Sequence, residues 1–413
     1  MLCLYKPTFK EVKTIFDHNL TYSKNRYRIL SIIYREKSVT RSQLVKITGL
    51  TILTINKIIK TLLNDRLIVE TDFKDIRRGR PPVLISINAD YAYVIGVDVG
   101  AYSVKLGVIK FNGEILESEI FFTPQPLCCP VEILSFSDLE EKINRLIQKY
   151  DNKIMGIGMG ISGMVNHNSS TIEFCPNIKG YDNISLGSKF NANDFSVAVD
   201  TSARCMALAE FFSQPEDETD NLIYVAIGYS IAAGIIIDKK IFRGANGYAG
   251  EIGHVKVEYN TDIQCSCGSY GCVENYSTLP MIKDSVISKL SEYNGYSLLN
   301  KICEDPNLLT LDDLSRAYQD GDKTTVEAVH EAIDKLGYVL ADYVNLVNPS
   351  HMILGGGFMD LFPGTLELLK SKIQGNGLTP ALKNFTIKKS ALGPEGAIYG
   401  SALQILCKEF LKE

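Results

Sequence analysis

Three cysteines and a histidine in the second half of the chain have the types and spacing of metal ligands. Cys265, Cys267 and Cys272 surround two glycines in the segment CSCGSYGCVENYS, and His254 lies eleven residues before the first of them. Thiolate sulfur and imidazole nitrogen suit a tetrahedral zinc, and four protein donors leave no open position for water. The spacing therefore predicts a structural zinc site that orders a loop and activates no nucleophile. Reduced, buried cysteines without a metal are the alternative.

Length and composition limit the class of protein. The chain has 413 residues, more than one hydrophobic core usually holds, so we expect at least two domains. No stretch is apolar for long enough to span a bilayer, and the first residues, MLCLYKPTFK, lack the apolar core of a secretory signal. We expect a cytoplasmic protein without membrane insertion, whose ten cysteines are reduced thiols or metal ligands.

Charge is distributed unevenly along the chain. Residues 1–88 hold 17 Lys and Arg against 7 Asp and Glu, whereas residues 89–413 hold 26 against 41. A basic head therefore precedes an acidic body, and we expect the domain boundary after Asn88. A basic segment fits nucleic-acid binding but is often only a solvated surface, so charge alone leaves both interpretations open.

Helical spacing of apolar residues predicts three helices in the head. The first covers residues 25–36, a turn and cap follow at 38–40, the second helix covers 41–48, and Gly49 gives a tight turn. Thr51 is the expected N-cap of the third helix, whose buried stripe would be Ile55, Ile58, Ile59 and Leu62. This is a helix-turn-helix pattern, although a small three-helix interaction module has the same spacing.

A hairpin after the third helix favours DNA binding. Predicted strands at residues 67–70 and 83–87 flank DIRRGRPP, and a slim cationic tip of this kind can enter a narrow minor groove. On the third helix, Asn56 could pair bidentately with adenine, and Ile52 and Leu53 would either contact thymine methyl groups or pack internally. The candidate DNA-binding residues are Thr51, Thr54, Asn56, Lys57, Lys60, Arg77, Arg78 and Arg80.

The acidic body alternates strands with helical stretches, which indicates an α/β fold. YVIGVDVG and AYSVKLGVIKF predict a hairpin with its turn at Gly100. Further strands are expected within residues 154–165 and 222–238, and before the glycine triplet Gly355–Gly357. Glycines at a strand end allow close approach of a ligand or a helix, but a lone triplet is a weak signal.

GEIGH at Gly250–His254, paired with the cysteine segment, resembles the signature of the ROK family of repressors, uncharacterised open reading frames and sugar kinases. The resemblance runs from about residue 25 to the end. It implies an α/β protein in which an N-terminal winged helix-turn-helix precedes an actin-like, two-lobed sugar-kinase fold, with the C-terminal helix returning to the first lobe. The sugar would lie between the lobes and contact Glu251, His254 and Glu274.

His254 would have two roles under this resemblance. One ring nitrogen would bind zinc while the other faces a sugar hydroxyl, so the metal would fix the tautomer and the orientation of the ring. Two carboxylates and an imidazole suit a polyol because they accept and donate hydrogen bonds at fixed angles. The alternative is that Glu251 and Glu274 are ordinary surface charges.

The residues that the family's kinases use for phosphoryl transfer are replaced. An Asn-Asp pair, whose Asp is the general base, corresponds here to Thr201 and Ser202, which stay candidate sugar contacts. A hydroxyl is protonated at neutral pH and cannot act as that base, and Asp200 would be set back along the strand. Of the two phosphate loops, the first reads DVGAY and ends in Tyr102, and the second reads GYSIAAG and contains Tyr229. Asp98 and the glycine triplet remain, but both also have structural uses.

These departures predict a sensor in place of a kinase. We expect a sugar-responsive repressor that binds a pseudo-palindromic operator as a homodimer or homotetramer and responds to a mono- or small oligosaccharide. The sugar would bind more tightly to the arrangement that does not bind DNA. The alternatives are an active sugar kinase and a regulator controlled by a protein partner from a sugar transporter.

Overall fold

The head consists of three helices and a small sheet. The computed structural model describes residues 20–72, 83–123, 133–190, 195–215, 220–292, 297–299 and 305–411. In chain order the head contains α1 (Leu20–Glu36), β1 (Ser38–Val39), α2 (Arg41–Thr48), α3 (Ile52–Asn64), β2 (Ile68–Asp72) and β3 (Val83–Ile87). The strands form an antiparallel sheet in the order β1-β3-β2. The predicted winged helix-turn-helix fold is confirmed.

Local sequence signals fix the helix ends of the head. Thr40 and Thr51 cap α2 and α3 through their side chains, and Gly49 turns the chain between them with a φ of 71°. Because that φ is left-handed, glycine is the residue that adopts it without strain. The predicted stripe of α3 is completely buried; it consists of Ile55, Ile58, Ile59 and Leu62.

Two details of the head differ from expectation. Helix α1 begins at Leu20, five residues earlier than predicted, and Ser38–Val39, expected as a turn, pair with β3 as a short strand. A two-residue strand carries too little alternation to be recognised from sequence. The tip of the predicted wing, with Arg77, Arg78 and Arg80, lies outside the described residues.

The first lobe is built on a five-stranded sheet with the order β11-β7-β4-β5-β6. Strands β4 and β7 are buried along their whole length, as expected for central strands covered on both faces. The elements are β4 (Tyr93–Val99), β5 (Ser103–Lys110), β6 (Ile115–Phe122), α4 (Phe136–Tyr150), β7 (Ile154–Ile161), β8 (Met164–Asn166), β9 (Thr171–Phe174), β10 (Ile184–Ser185), α5 (Leu186–Phe190) and β11 (Ser196–Thr201). Strands β8, β9 and β10 form a separate small sheet.

Helix α6 (Ser202–Phe212) follows β11 directly and leads to the second lobe. That lobe repeats the pairing of the first, three antiparallel strands continued by two parallel ones, in the order β14-β13-β12-β15-β16. Its elements are β12 (Leu222–Ile227), β13 (Ile231–Ile237), β14 (Lys240–Ile241), α7 (Glu274–Ser277), α8 (Leu279–Glu292), α9 (Leu311–Gln319), α10 (Lys323–Val347), β15 (His351–Gly355), α11 (Gly357–Leu361), α12 (Thr365–Asn376), α13 (Thr379–Leu382) and β16 (Thr386–Lys389).

The last helix, α14 (Glu395–Glu409), packs on the sheet of the first lobe. Glycines in β4 and β7 make this possible: a Cβ at Gly96 would lie 2.2 Å from the carbonyl oxygen of Ile398, and one at Gly158 would lie 1.9 Å from that of Ser401. Any larger residue at these positions would push the helix off the sheet. No described helix is long and apolar enough to cross a membrane.

The head and the first lobe share one hydrophobic core. The same cluster of buried side chains contains Ile33 and Tyr34 of α1, Phe211 and Phe212 of α6, and Leu403 of α14. A second cluster fills the second lobe, and a third lies on the other side of the first sheet. The head is therefore packed against the body through side chains that exclude water.

Candidate functional site

A cleft lies between the two lobes, and its empty volume including the open mouth is ≈ 720 Å³. All five predicted sugar contacts line it: Thr201, Ser202, Glu251, His254 and Glu274. Lining residues that the sequence analysis did not single out include Ser162, Phe174 and Asn177. The five predicted residues that meet here are up to 73 positions apart in the chain.

The two carboxyl groups of the cleft are partly buried. Burial raises the pKa of Glu251, and His254 and Arg204 nearby partly offset this. Burial also raises the pKa of Glu274, whose Oε2 accepts a hydrogen bond from the backbone N–H of Ile231 at 3.1 Å. Both groups lose water without gaining a full set of protein partners, so they are available to neighbouring hydroxyl groups of a ligand.

Thr201 and Ser202 occupy the junction of β11 and α6 at the base of the cleft. The Thr201 side chain caps α6 by accepting from the backbone N–H of Arg204. The Ser202 hydroxyl is buried and has no hydrogen-bond partner among the described residues. Since a buried unpaired hydroxyl is destabilising, a ligand hydroxyl in the cleft would satisfy it.

Asp200, one residue before this junction, is fully engaged. Its carboxylate accepts from Arg204 at 2.9 Å, from Arg243 at 2.8 and 2.9 Å, and from the N–H of Thr201 at 2.9 Å, and only 1% of its side chain is exposed. His167 lies 3.8 Å away. This network was not anticipated, although an arginine inside the otherwise apolar helix SARCMALAE, four residues after an aspartate, was a signal for it.

The predicted metal ligands converge beside the cleft. The ligand atoms of His254, Cys265, Cys267 and Cys272 all lie within 4.8 Å of one another. His254 Nδ1 is 3.6 Å from Cys265 Sγ, and Cys267 Sγ is 3.7 Å from Cys272 Sγ. The edges of a tetrahedral zinc site are about 3.6 Å for nitrogen to sulfur and about 3.8 Å for sulfur to sulfur. The cluster could therefore hold a metal ion.

The loop around the cluster depends on its glycines. Gly268 and Gly271 have φ values of 86° and 73°, and a Cβ at Gly271 would lie 1.8 Å from the carbonyl oxygen of Glu258. With the Nδ1 of His254 turned to the cysteines, the same side chain still lines the cleft. The arrangement allows the two roles predicted for this imidazole, one at the metal and one at the ligand.

Away from the polar side chains of the cleft, two aromatic rings meet between turns of the two lobes. Tyr102, in the β4–β5 turn, stacks on Tyr229, in the β12–β13 turn, with ring centroids 6.2 Å apart and planes at 19°. Asp98 is buried and paired with Lys105 at 2.7 Å. A Cβ at Gly355 would lie 2.2 Å from the Tyr224 hydroxyl, so this glycine allows β15 to approach its neighbour. The retained aspartate and glycine both have structural contacts here.

The outer face of α3 is accessible. Thr51, Asn56, Lys57 and Lys60 are exposed and Thr54 is half-buried. Leu53 is 78% exposed, so it does not pack internally. Asn56 Oδ1 accepts from Arg41 Nε at 3.0 Å, and Arg41 also forms an ion pair with Glu70. The acceptor that adenine would use is therefore engaged in the free head, and Arg41 is an additional cation on this face.

Fold and site together define a class of protein: a two-lobed, kinase-like ligand-binding body that carries a winged helix-turn-helix head. The ROK family model matches residues 94–408. The chain belongs to the ROK family.

Three relatives show how much of the chain the resemblance covers. The xylose repressor of Caldicellulosiruptor bescii is 30% identical over 94% of this chain and 97% of its own length. A solved ROK family transcriptional regulator, a homologue of the Escherichia coli MLC protein, has a TM-score of 0.75 at 24% identity and covers 94% of this chain and 98% of its own. A ROK glucokinase from Streptomyces griseus, solved with glucose and AMPPNP, has a TM-score of 0.63 at 25% identity and covers 76% of this chain and 99% of its own. The regulators match the head as well as the body.

Proposed function

We propose that this protein is a sugar-responsive transcriptional regulator that represses carbohydrate-utilisation genes until a sugar binds between its lobes. The observation that carries the proposal is the convergence of five polar side chains on one cleft in a chain that also has a winged helix-turn-helix head. The full-length match to a xylose repressor supports it. Operator DNA and a mono- or small oligosaccharide are the expected partners, and a homodimer or homotetramer in the cytoplasm is the expected form.

The first candidate effector is D-xylose. The basis is the name of the relative that is 30% identical over nearly the whole chain. A pentose offers adjacent hydroxyls to Glu251, His254, Glu274 and the unpaired hydroxyl of Ser202. Phe174, which also lines the cleft, provides an apolar face for the sugar ring.

We infer that the body is not a kinase. Thr201 and Ser202 stand where a catalytic base is needed, and Asp200 is held by two arginines and a backbone N–H. These donors occupy the lone pairs of the carboxylate that a substrate proton would need. The stacked rings of Tyr102 and Tyr229 occupy the loops that cradle phosphates in the family's kinases.

Zinc is the proposed metal of the Cys₃His cluster. Three sulfurs and one nitrogen, whose ligand atoms all lie within 4.8 Å of one another, match zinc among the common divalent ions. The metal would supply structural order only, since four protein donors fill the coordination sphere. Through His254 it would hold one wall of the cleft.

DNA recognition is proposed for the face of α3 and for the wing. Thr51, Thr54, Asn56, Lys57, Lys60, Arg77, Arg78 and Arg80 are the proposed contacts, and Arg41 is added on the same face. Asn56→Ala is tested on an operator selected from a pool of random DNA and on nonspecific DNA. Binding of the operator should weaken by about 1–3 kcal/mol, while nonspecific binding changes little. A uniform loss on both DNAs would assign Asn56 to phosphate contact.

A thermal-shift screen tests the effector proposal. The zinc-replete protein is heated with a panel of pentoses, hexoses, amino sugars, sugar phosphates and ATP. A ligand that binds only the folded state raises Tm, so a selective rise with D-xylose and no rise with ATP is expected. A rise with ATP and a coupled ATPase signal in the presence of a sugar would establish the kinase instead. No rise with any sugar would direct the search to a protein partner.

A further inference from the structure

Helix α6 has one end at the ligand cleft and the other end at the DNA-binding head. Thr201, its N-cap, and Ser202, its first residue, line the cleft. Phe211 and Phe212 form its last turn and belong to the core that contains α1. Eleven residues at 1.5 Å each make the helix about 16 Å long. Residues 203–212 are all buried, so no part of the helix beyond its first residue is free of packing.

Arg204 attaches the first turn of this helix to residues 243–254, the ligand loop, which carries Glu251 and His254. Its side chain is 1% exposed, and its guanidinium donates to Asp200 at 2.9 Å, to the carbonyl of Gly247 at 2.5 Å and to the carbonyl of Ala249 at 2.9 Å. Those carbonyls lead directly into Glu251 and His254. Arg243, at the other end of the same loop, also reaches Asp200. A ligand that displaces this loop must therefore also displace Arg204 or break its hydrogen bonds to the loop.

The last turn of α6 is attached to α1 by a second set of contacts. Phe212 meets the ring of Tyr34 edge to face with centroids 5.7 Å apart, and the guanidinium of Arg35 lies 4.3 Å from the centre of the Phe211 ring. Arg35 also donates to the carbonyls of Gln214 at 3.1 Å and Pro215 at 2.7 Å, just beyond the helix. Tyr34 and Arg35 are both buried.

Small residues flank α6 on both sides. A Cβ at Gly400 of α14 would lie 2.0 Å from the carbonyl oxygen of Cys205, and one at Gly234 of β13 would lie 2.3 Å from that of Ala203. The helix thus contacts the first lobe on one side and the second lobe on the other. Contacts made through small residues allow packed elements to slide past each other by small distances, whereas large interdigitated side chains resist such sliding.

We propose that α6 transmits the state of the ligand cleft to the head, and that Arg204 is the positioning residue that joins the ligand loop to this helix. The proposal rests on the proposed sugar-responsive function. Two sites, one rigid element attached to both, and a loop whose position the ligand would change are the parts that such coupling needs. This route of coupling runs from the ligand loop through α6 to α1, and it does not include the side chains of the head that would contact DNA.

The first experiment needs no ligand. Hydrogen exchange of full-length Arg204→Lys is compared with wild type and with Phe358→Leu, a change at a fully buried phenylalanine of the second lobe. Lysine keeps the charge but cannot reach all three acceptors. We expect exchange in residues 20–36 to change at least about threefold in Arg204→Lys and to stay at the wild-type rate in Phe358→Leu. Unchanged exchange in α1 of Arg204→Lys would overturn the proposal.

The second experiment measures the coupling itself. Affinity for a DNA fragment selected from a random pool is measured with and without saturating D-xylose, for wild type, Arg204→Lys, Phe212→Leu and Phe358→Leu. Both α6 variants should bind D-xylose and DNA, but the ratio of the two DNA affinities should fall toward one. A wild-type ratio in both variants would reject the route. A ratio of one in the wild type itself would reject the D-xylose proposal, and the exchange experiment would still decide the role of α6.

Discussion

At one end of the space between the lobes the protein presents two carboxylates, an imidazole and two hydroxyls, and at the other end it presents two stacked tyrosine rings. The first group is under-satisfied: Ser202 has no partner among the described residues, and burial raises the pKa of both Glu251 and Glu274. In the second region the ring of Tyr102 contacts the rings of Tyr229 and Phe122. The difference fits the proposal that a ligand binds at the polar end, whereas side chains of the protein itself fill the space at the aromatic end.

Removing one cysteine of the cluster should have the largest effect. Cys272→Ser is expected to lose the bound metal and to lower Tm by at least about 5 °C, because metal binding contributes directly to folding. Metal content by elemental analysis and Tm by calorimetry measure this. Cys407→Ser, at a half-buried cysteine of α14 away from the cluster, should keep both. If the purified wild type contains no metal and Cys272→Ser has the same Tm as the wild type, the cluster is only a group of reduced thiols.

Changes at the polar end should abolish the response to the sugar. Glu251→Ala is expected to weaken sugar affinity about 100-fold or more, since a hydrogen bond to a charged group contributes about 1.5–3 kcal/mol and a carboxylate can accept more than one. His254→Ala removes one hydrogen bond to the sugar together with a metal ligand, and it should also weaken sugar affinity. Operator binding without sugar should be preserved. Glu258→Ala, whose exposed carboxylate pairs with Lys335, is the matched control. If Glu251→Ala responds normally, the cleft is not the sensor site.

Changes at the aromatic end should affect stability and leave sugar affinity nearly unchanged. Tyr102→Ala and Tyr229→Ala should show a coupling of about 1 kcal/mol in a double-mutant cycle of unfolding free energy, because aromatic pairs contribute about this amount beyond buried area. Sugar affinity should stay within about threefold of wild type. Tyr338→Ala, at an exposed tyrosine of α10, serves as the reference. A large loss of sugar binding would extend the ligand site to this region.

The smallest effect concerns the pH dependence of stability. Burial raises the folded-state pKa of Glu251 above its ordinary value, so ionising this group destabilises the free protein as pH rises from about 4.5 through the folded pKa. Glu251→Gln removes that cost. It should raise the free energy of unfolding by up to about 1 kcal/mol, and Tm should rise accordingly. The difference in Tm from wild type should appear above pH 4.5 and then level off. A difference that is constant with pH would indicate a packing effect, and Glu258→Gln supplies the baseline.

Much of the fold could be predicted because its signals are local. Caps at Thr40 and Thr51, a left-handed glycine at position 49 and a buried stripe at helical spacing define the head within a short stretch of chain. The hairpins of the body follow from apolar runs separated by glycine turns. The polar end of the cleft was predicted through the family resemblance, since nothing in the spacing of Glu251 and Glu274 by itself places them together.

The remaining features depend on contacts between distant parts of the chain. The carbonyl groups that bind Arg204 are 43 and 45 residues away, and those that bind Arg35 are 179 and 180 residues away. The stack of Tyr102 on Tyr229 joins two turns of different lobes. No periodicity marks such pairs, so they emerge only when the two lobes and the head are assembled.

The core that runs from the head into the first lobe also determines how such regulators can be recombined. A chimera joined at residue 88 would set a foreign α1 against Phe211, Phe212 and α14, which are shaped to Tyr34 and Arg35. Mismatched packing there would leave voids or clashes. The unit that can be exchanged intact is therefore the head together with α6 and α14. Because α6 also begins with cleft residues, the part of the chain that determines the operator preference overlaps in sequence with the part that determines the sugar preference.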